Sequence, residues 1–269
     1  MPDVNEIIET RDLTKRFGDL TAVDKLTIAV HAGEIFGLLG PNGAGKSTVI
    51  KMLTTLLPPT SGSAYVAGLD VTRKSAAVRN LIGYVPQLIS ADSMLSGYEN
   101  LLIFAKLYGI PRAKREKLIR HALDFMGLND AADNIVRKYS GGMIRRLEIA
   151  QSMLHSPRIL FLDEPTIGLD PSARHVVWDH VTQLCAENGT TIFMTTHLME
   201  EADSVCKRVA IMHRGKMVAL GSPAELKTSI GRDGATLDDV FMHYAGDSLE
   251  SGGSYRETSR VRRTTRRLG

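Results

Sequence analysis

A glycine-rich segment near the start of the chain has the residue types of a phosphate-binding loop. It matches the pattern GxxxxGK[ST] at every fixed position and reads Gly40-Pro41-Asn42-Gly43-Ala44-Gly45-Lys46-Ser47. Glycines let the backbone wrap closely around phosphates, so that its N–H groups and a helix N-terminus face the negative charge. Lys46 can reach the β and γ phosphates, and Ser47, with Thr48 beside it, can bind Mg²⁺. The segment therefore predicts a nucleotide site.

Two acidic residues, Asp163 and Glu164, follow the apolar run 159–162. Asp163 ends this run, where a carboxylate can hold Mg²⁺ directly or through water, and Glu164 is placed to polarise an attacking water. Acidic residues also end strands for purely structural reasons. Because this pair accompanies a phosphate-binding loop, the catalytic interpretation is favoured.

Short apolar runs and longer helical patterns alternate along the chain and must position these groups. Buried strands are predicted over 35–39, 159–162 and 191–194, with a helix over 46–57. Runs without polar alternation indicate strands covered on both faces, hence a parallel α/β sheet. Residues 97–156 are predicted to be helical throughout, as an insertion in the α/β core.

Further elements are indicated outside this core. Additional strands are predicted over 63–71 and 207–220, with turns at Gly68 and at Arg214-Gly215. An amphipathic helix is predicted near the end from apolar residues at i, i+3, i+4 and i+7. These residues are Leu237, Val240, Phe241 and Tyr244.

The composition narrows the class of protein. The 269 residues are 43% hydrophobic and carry a formal net charge of only +3, which argues against a dedicated nucleic-acid binder. Two cysteines, Cys185 and Cys206, do not make a disulfide scaffold and are expected to be reduced thiols, at least partly buried. No apolar run approaches the roughly 18–20 residues that cross a bilayer, and the acidic N-terminus does not resemble a signal peptide.

The last residues differ from the rest in composition. Residues 246–255 are rich in glycine and serine, and residues 256–267 hold six arginines and one glutamate, a net charge of +5. We expect residues 246–269 to form a linker and a disordered basic tail. Such a tail could lie on an anionic membrane surface, or it could be a solvated end without a partner.

A second glycine-containing motif indicates the class of protein, because it resembles a motif of a known family. Residues 139–143, Tyr-Ser-Gly-Gly-Met, resemble the signature motif of ABC transporter ATPases, whose common form is LSGGQ, and a helix is predicted directly after them, over 144–154. The resemblance extends over residues 5–245 and implies an ABC ATPase cassette with a parallel-sheet core, an antiparallel β subdomain and an all-helical insertion at about 90–157. In this sequence Tyr139, Met143 and Ile167 depart from the family's usual residues.

The resemblance also assigns roles to single residues. It places Phe17 where the family stacks an aromatic ring on adenine, and Gln87 where the family has a glutamine that is a ligand near Mg²⁺. Asp170 falls in a loop that contacts the partner subunit, and His197 falls near the γ phosphate. The implied catalytic residues are Lys46, Gln87, Glu164 and His197. The implied metal ligands are Ser47, Gln87 and Asp163. The implied ATP-binding residues are Phe17, residues 40–48, Ser140, Gly141, Gly142 and Asp170.

The family works through partners. The resemblance implies a head-to-tail dimer that encloses two Mg–ATP, bound to a separate transmembrane permease at the cytoplasmic face of the cell membrane, with no nucleic acid involved. The resemblance implies that the permease contacts a groove around residues 87–100, between the core and the helical insertion. Leu88, Ile89, Met94 and Leu95 would be unusual as purely exposed loop residues, which favours a docking surface there, although local packing beneath the helices explains any one of them equally well.

The form of the motifs is similar to the daunorubicin-resistance branch, which implies an exporter of drugs, antibiotics or lipid-like compounds. An importer subunit and a soluble, non-transport ABC ATPase stay open as alternatives. A regulatory GTPase is disfavoured because the sequence lacks an NKxD-type guanine motif.

Overall fold

A computed structural model describes residues 6–246 of the chain. Its central sheet has six strands: β4 Ile35–Leu39, β7 Ile82–Val85, β8 Ile159–Asp163, β9 Thr191–Thr196, β10 Arg208–His213 and β11 Lys216–Gly221. Their order across the sheet is β11-β10-β4-β9-β8-β7. The strands pair in parallel, except that β10 and β11 form an antiparallel hairpin. Every residue of β4, β8 and β9 is buried, as expected for central strands covered on both faces.

A second, antiparallel sheet holds the N-terminal part of the chain. Its strands are β1 Glu6–Phe17, β2 Leu20–Leu26, β3 Ala29–His31, β5 Ser61–Val66 and β6 Leu69–Asp70. Helix α1, Lys46–Leu53, shares one hydrophobic core with this sheet and with one face of the central sheet. The parallel core and the antiparallel β region predicted above are therefore both present.

The remaining helices lie on the other side of the central sheet or at its edges. Their bounds are α2 Ser75–Arg79, α3 Gly97–Leu107, α4 Arg112–Phe125, α5 Gly141–Met153, α6 Pro171–Asn188, α7 Met199–Val205, α8 Pro223–Ser229 and α9 Leu237–Gly246. Two short 3-10 turns, Asn129–Ala131 and Val136–Lys138, separate α4 from α5. Helices α3 to α5 thus form the predicted helical region. They share a core with α6 and with the second face of the central sheet.

Two helix boundaries differ from the sequence predictions. Helix α1 ends at Leu53 and not at residue 57, because the Thr54 hydroxyl bonds back to the Ile50 carbonyl and Thr55 takes a positive φ of 65°. Helix α5 begins at Gly141, three residues before the predicted start. The Ser140 hydroxyl accepts a hydrogen bond from the Met143 N–H and caps the helix there.

Within residues 6–246, no helix combines the length and the apolarity that a membrane crossing needs. Cys206 is buried and Cys185 is half-buried, and both are free thiols. The predicted linker and basic tail lie outside the described residues, apart from Gly246, which ends α9.

Candidate active site

The phosphate-binding loop leaves the end of the central strand β4 and leads directly into α1. Gly40 and Gly45 have φ values of 147° and 106°, conformations that L side chains rarely adopt. A Cβ atom on Gly45 would lie 2.3 Å from the Ala22 carbonyl oxygen, and one on Gly40 would lie 2.3 Å from the Met212 carbonyl oxygen. The loop therefore needs glycine at these two positions, as a close-fitting phosphate cradle does.

Lys46 begins α1 and points back across this loop. Its side chain is only 4% exposed, and Nζ donates hydrogen bonds to the carbonyl oxygens of Gly40 at 2.7 Å and Pro41 at 3.2 Å. Nζ also lies 3.2 Å from the Glu164 carboxylate. A buried ammonium group needs such partners, because isolated charges are costly away from water. The amine is thus fixed over the loop, where it can contact a phosphate.

A chain of polar side chains connects the loop to the neighbouring strands. The Ser47 hydroxyl donates to Asp163 Oδ1 at 3.0 Å, and the Thr195 hydroxyl donates to the same oxygen at 2.6 Å. Asp163 ends β8, and Thr195 is its register partner on β9. The parallel sheet therefore brings the predicted metal ligands Ser47 and Asp163 into contact across 116 positions of sequence.

Glu164 has an unusual backbone conformation for a residue with a side chain. Its φ is 49°, in the left-handed region, which costs about 1–3 kcal/mol and persists only where the surroundings enforce it. Its N–H donates to both the Thr195 hydroxyl and the Thr195 carbonyl oxygen, at 3.1 Å each. This turn aims the carboxylate at Lys46 on one side and at His197 on the other, where Nδ1 lies 3.0 Å from Glu164 Oε2. The predicted catalytic residues Lys46, Glu164 and His197 therefore form one cluster.

An open cavity of about 460 Å³ lies over the loop. Besides the loop and Glu164 it is lined by Gln87, from the segment after β7, and by Phe17, from the end of β1. Phe17 is 49% exposed, with the Lys15 ammonium 5.2 Å from its ring centre. An exposed ring at the rim of a phosphate site is a suitable platform for a planar base.

The signature residues are not among those that line this cavity. Ser140 and Gly141 are exposed at the start of α5, and Gly142 is buried there. Asp170 is likewise exposed, and its carboxylate accepts the Ala173 N–H at 2.9 Å as the cap of α6. Within one chain, Ser140, Gly141, Gly142 and Asp170 therefore do not line the cavity over the phosphate loop.

The available oxygen atoms fit Mg²⁺. A hydroxyl and a carboxylate meet at Ser47 and Asp163, and Gln87 offers an amide oxygen at the same cavity. Mg²⁺ prefers such oxygen ligands, keeps several waters and shares the remainder with substrate phosphates. In residues 6–246 no cluster of three or more His, Cys, Asp or Glu could hold a metal alone. Burial, with the nearby Asp163 charge, raises the pKa of Tyr84 to about 12, so this phenol stays neutral beside the site.

Sequence reasoning missed a second set of buried polar residues next to the cluster. Glu201 on α7 accepts hydrogen bonds from the Thr166 hydroxyl at 2.5 Å and from the Thr196 hydroxyl at 3.2 Å. Arg174 Nε on α6 lies 3.2 Å from the same carboxylate, although it is not aligned for a hydrogen bond. Glu201 thereby joins the segment after Glu164 to the residue before His197. Thr195 was missed as well, because only the order of the strands places it beside Asp163.

Comparison with known proteins gives the family. A model of the ABC transporter family matches residues 23–167. The chain is 46% identical over 224 residues to the daunorubicin/doxorubicin resistance ATP-binding protein DrrA of Streptomyces peucetius, covering 83% of this chain and 68% of DrrA. It is 41% identical over 254 residues to the Nod factor export ATP-binding protein I of Burkholderia lata, covering 91% of this chain and 83% of that protein.

A solved structure of the ATP-binding subunit of an ABC transporter superposes with a TM-score of 0.79 at 28% identity, covering 89% of this chain and 99% of that one. The agreement supports the fold that the phosphate loop and the sheet order indicate. The family model matches more than half of the chain, and the chain covers at least two thirds of the length of each of the two relatives. This chain therefore belongs to the ABC transporter family, as an ATP-binding subunit that hydrolyses ATP.

Proposed function

We propose that this ATPase subunit drives export of a drug, an antibiotic or a lipid-like compound through a separate membrane permease. The observation that carries the ATPase chemistry is the cluster in which the buried Lys46 and Glu164 meet the half-buried His197 at the phosphate loop. Export is supported by the two relatives, whose names state drug resistance in one case and Nod factor export in the other.

The residues of the cavity divide the chemistry among them. The loop N–H groups and Lys46 would bind the phosphates of ATP, and Phe17 would stack on its base. Ser47, Asp163 and Gln87 would supply oxygen ligands to Mg²⁺, which neutralises phosphate charge when bound. Glu164 is then the base that accepts a proton from the attacking water. Its Oε2 faces His197 Nδ1, so the His197 ring is held with its other nitrogen free for a phosphate oxygen.

The placement of the signature residues supports a composite site. Subunits of this family dimerise and pair with a membrane permease. Ser140 and Gly142 lie at the start of a helix whose N-terminus can bind an anion, yet they do not line the cavity over the chain's own phosphate loop. In a head-to-tail dimer, the signature residues of each copy would cover the nucleotide of the other copy, and Asp170 would lie at the contact between the two. We place this dimer at the cytoplasmic face of the cell membrane, held there by the permease.

Replacing the proposed base tests the assignment. In Glu164→Gln the acceptor for the water proton is lost, so we expect kcat for ATP to fall by about 10²–10⁴-fold with nucleotide still bound. In the presence of ATP the dimer should then accumulate, which gel filtration detects. Glu200→Gln changes an exposed carboxylate of α7 and serves as the matched control. A turnover in Glu164→Gln as fast as in this control would exclude Glu164 as the base.

Lys46→Ala tests the phosphate site itself. Without the ammonium group, we expect ATP binding, followed by a fluorescent ATP analogue, to be abolished. Normal binding and hydrolysis in this variant would contradict the site. For export, the subunit is co-purified from membranes with its permease, and candidate compounds are tested for stimulation of ATPase activity. A stimulating compound should accumulate inside inverted membrane vesicles, because these expose the ATPase side. Loss of that compound from the vesicles would indicate import.

A further inference from the structure

We propose that Arg145 and Glu148, two buried residues of helix α5, are positioning residues that hold the Gln87 segment in place. This segment, residues 86–91, follows β7 and has no regular secondary structure of its own. It carries Gln87 into the nucleotide cavity and presents Leu88 and Ile89 to solvent. The catalytic consequence rests on the function proposed above for Gln87, whereas the structural claim stands without it.

Glu148 binds the second half of the segment. Its Oε1 accepts three hydrogen bonds, from the Ser90 N–H, from the Ser90 hydroxyl at 3.0 Å and from the Ala91 N–H at 3.4 Å. The carboxylate is only 1% exposed. A buried carboxylate that accepts several N–H and O–H groups is a strong, directional anchor for a loop backbone.

Arg145 binds the first half. Its two terminal nitrogens donate to the Pro86 carbonyl oxygen at 2.8 Å and to the Gln87 carbonyl oxygen at 3.0 Å. Nη1 also lies 2.9 Å from Glu148 Oε2, in an ion pair whose arginine is 6% exposed. The forked guanidinium thus spans two consecutive carbonyls and the carboxylate together, which a lysine cannot do.

The arrangement ties the segment to one helix. Residues just beyond it have other partners: the Asp92 N–H donates to Asn100 of α3, and the Ser93 carbonyl accepts from Arg137. Ser140 caps helix α5, which begins at Gly141, so the same helix carries the signature residues at its start and anchors Gln87 one to two turns later. A displacement of α5 would therefore move Gln87 and the exposed Leu88 and Ile89 with it.

Hydrogen exchange tests the anchor directly. In Glu148→Ala the amides of Ser90 and Ala91 lose their acceptor, so we expect their exchange to accelerate by about 10-fold or more, as in a locally open segment. Arg146→Met is the matched control. Arg146 is the next residue on α5 and also donates to two backbone carbonyls, those of Met126 and Gly127, but these lie in the helical region. Exchange at residues 90–91 should stay unchanged in this control.

Steady-state kinetics test what the anchor does. We expect Glu148→Ala to lower kcat by about 10-fold and to raise the Mg²⁺ concentration for half-maximal rate, with KM for ATP within about two-fold, since the phosphate loop is untouched. Glu148→Gln keeps an acceptor oxygen and should recover most of the exchange protection and part of kcat. Where Glu148→Ala does not fold, Glu148→Gln supplies the test: it loses the charge that pairs with Arg145, so exchange at residues 90–91 should still be measurably faster than in the wild type.

The outcomes separate the two proposals. Unchanged exchange at Ser90 and Ala91 in Glu148→Ala would overturn the anchor. Faster exchange with unchanged kcat and Mg²⁺ dependence would overturn its positioning role. If the wild-type protein hydrolysed no ATP while exchange in Glu148→Ala still accelerated, the proposed function would fail and the anchor would stand.

Discussion

Thr195 offers the sharpest test of how the sheet builds the active site. Its hydroxyl is the shared link between the two acidic residues, since it donates to Asp163 Oδ1 at 2.6 Å and accepts the Glu164 N–H at 3.1 Å. The residue is fully buried on β9. Thr195→Val keeps the shape and the β-branching of the side chain and removes only this hydroxyl.

The magnitude follows from which bonds are lost. The Glu164 N–H loses the hydroxyl but keeps the Thr195 carbonyl oxygen as a partner. The loss of this hydrogen bond therefore lowers the free energy of unfolding only a little. The bond to the Asp163 carboxylate is charge-assisted, and its removal should lower the free energy of unfolding by about 1.5–3 kcal/mol. If the same bond orients Asp163 in the reaction, kcat should fall by about 10- to 100-fold.

Thr191→Val on the same strand is the control. Thr191 is as buried as Thr195, and its hydroxyl oxygen accepts the Gly33 N–H at 2.9 Å, far from the acidic pair. Removing the Thr191 hydroxyl should lower the free energy of unfolding by about 1 kcal/mol and leave kcat within about two-fold of the wild-type value. Urea unfolding and steady-state ATPase rates measure both effects. The reasoning is refuted if Thr195→Val loses no more stability than Thr191→Val and keeps its turnover.

Three further outcomes are expected. Gly45→Ala should abolish nucleotide binding, measured with a fluorescent ATP analogue, because the new methyl group meets a β2 carbonyl, whereas Gly43→Ala meets no atom within 4 Å and should only weaken binding. Cys206, whose pKa is raised by burial, should resist alkylation in the folded protein while the half-buried Cys185 reacts slowly. The capping hydrogen bonds of α3 hold the pKa of Glu99 below its usual 4.5, so their stabilisation is present above that pH and is lost as the pH falls through the lower folded-state value. Urea midpoints at decreasing pH should therefore fall less steeply in Glu99→Gln than in the wild type.

The local sequence was sufficient to predict the elements that bear the chemistry. Continuous apolar runs predicted β4, β8 and β9, and the glycines of the phosphate loop predicted the link from β4 to α1. These predictions succeeded because each depends on residues that are close together in the chain, where backbone preference and burial act jointly. The fold class, with its two sheets and helical region, followed from the resemblance and is confirmed.

Contacts that depend on which strands are neighbours could not be predicted in this way. Thr195 and Asp163 meet because β8 and β9 are adjacent in the sheet, an order that no periodicity reveals. The anchor of the Gln87 segment likewise joins pairs of residues that lie 58 or 59 positions apart in the sequence. The exposure of Leu88, Ile89 and Met94, at 81%, 62% and 68%, shows that these three are not packed under the helices, whereas Leu95 is half-buried. Their docking to a permease stays a prediction.

Ser140 does not line the nucleotide cavity of its own chain, and in the proposed dimer this has a consequence for genetics. In the proposed head-to-tail dimer, a Lys46→Ala chain and a Ser140→Arg chain carry their defects in different halves of a site. When the two are mixed, each mixed dimer collects both defects in one site and leaves the other site intact. Random pairing makes half of the dimers mixed, so two inactive proteins should together recover about a quarter of the wild-type activity if the sites turn over independently. Two defective alleles of this single gene would then complement each other, which alleles of an enzyme with one self-contained site per chain do not.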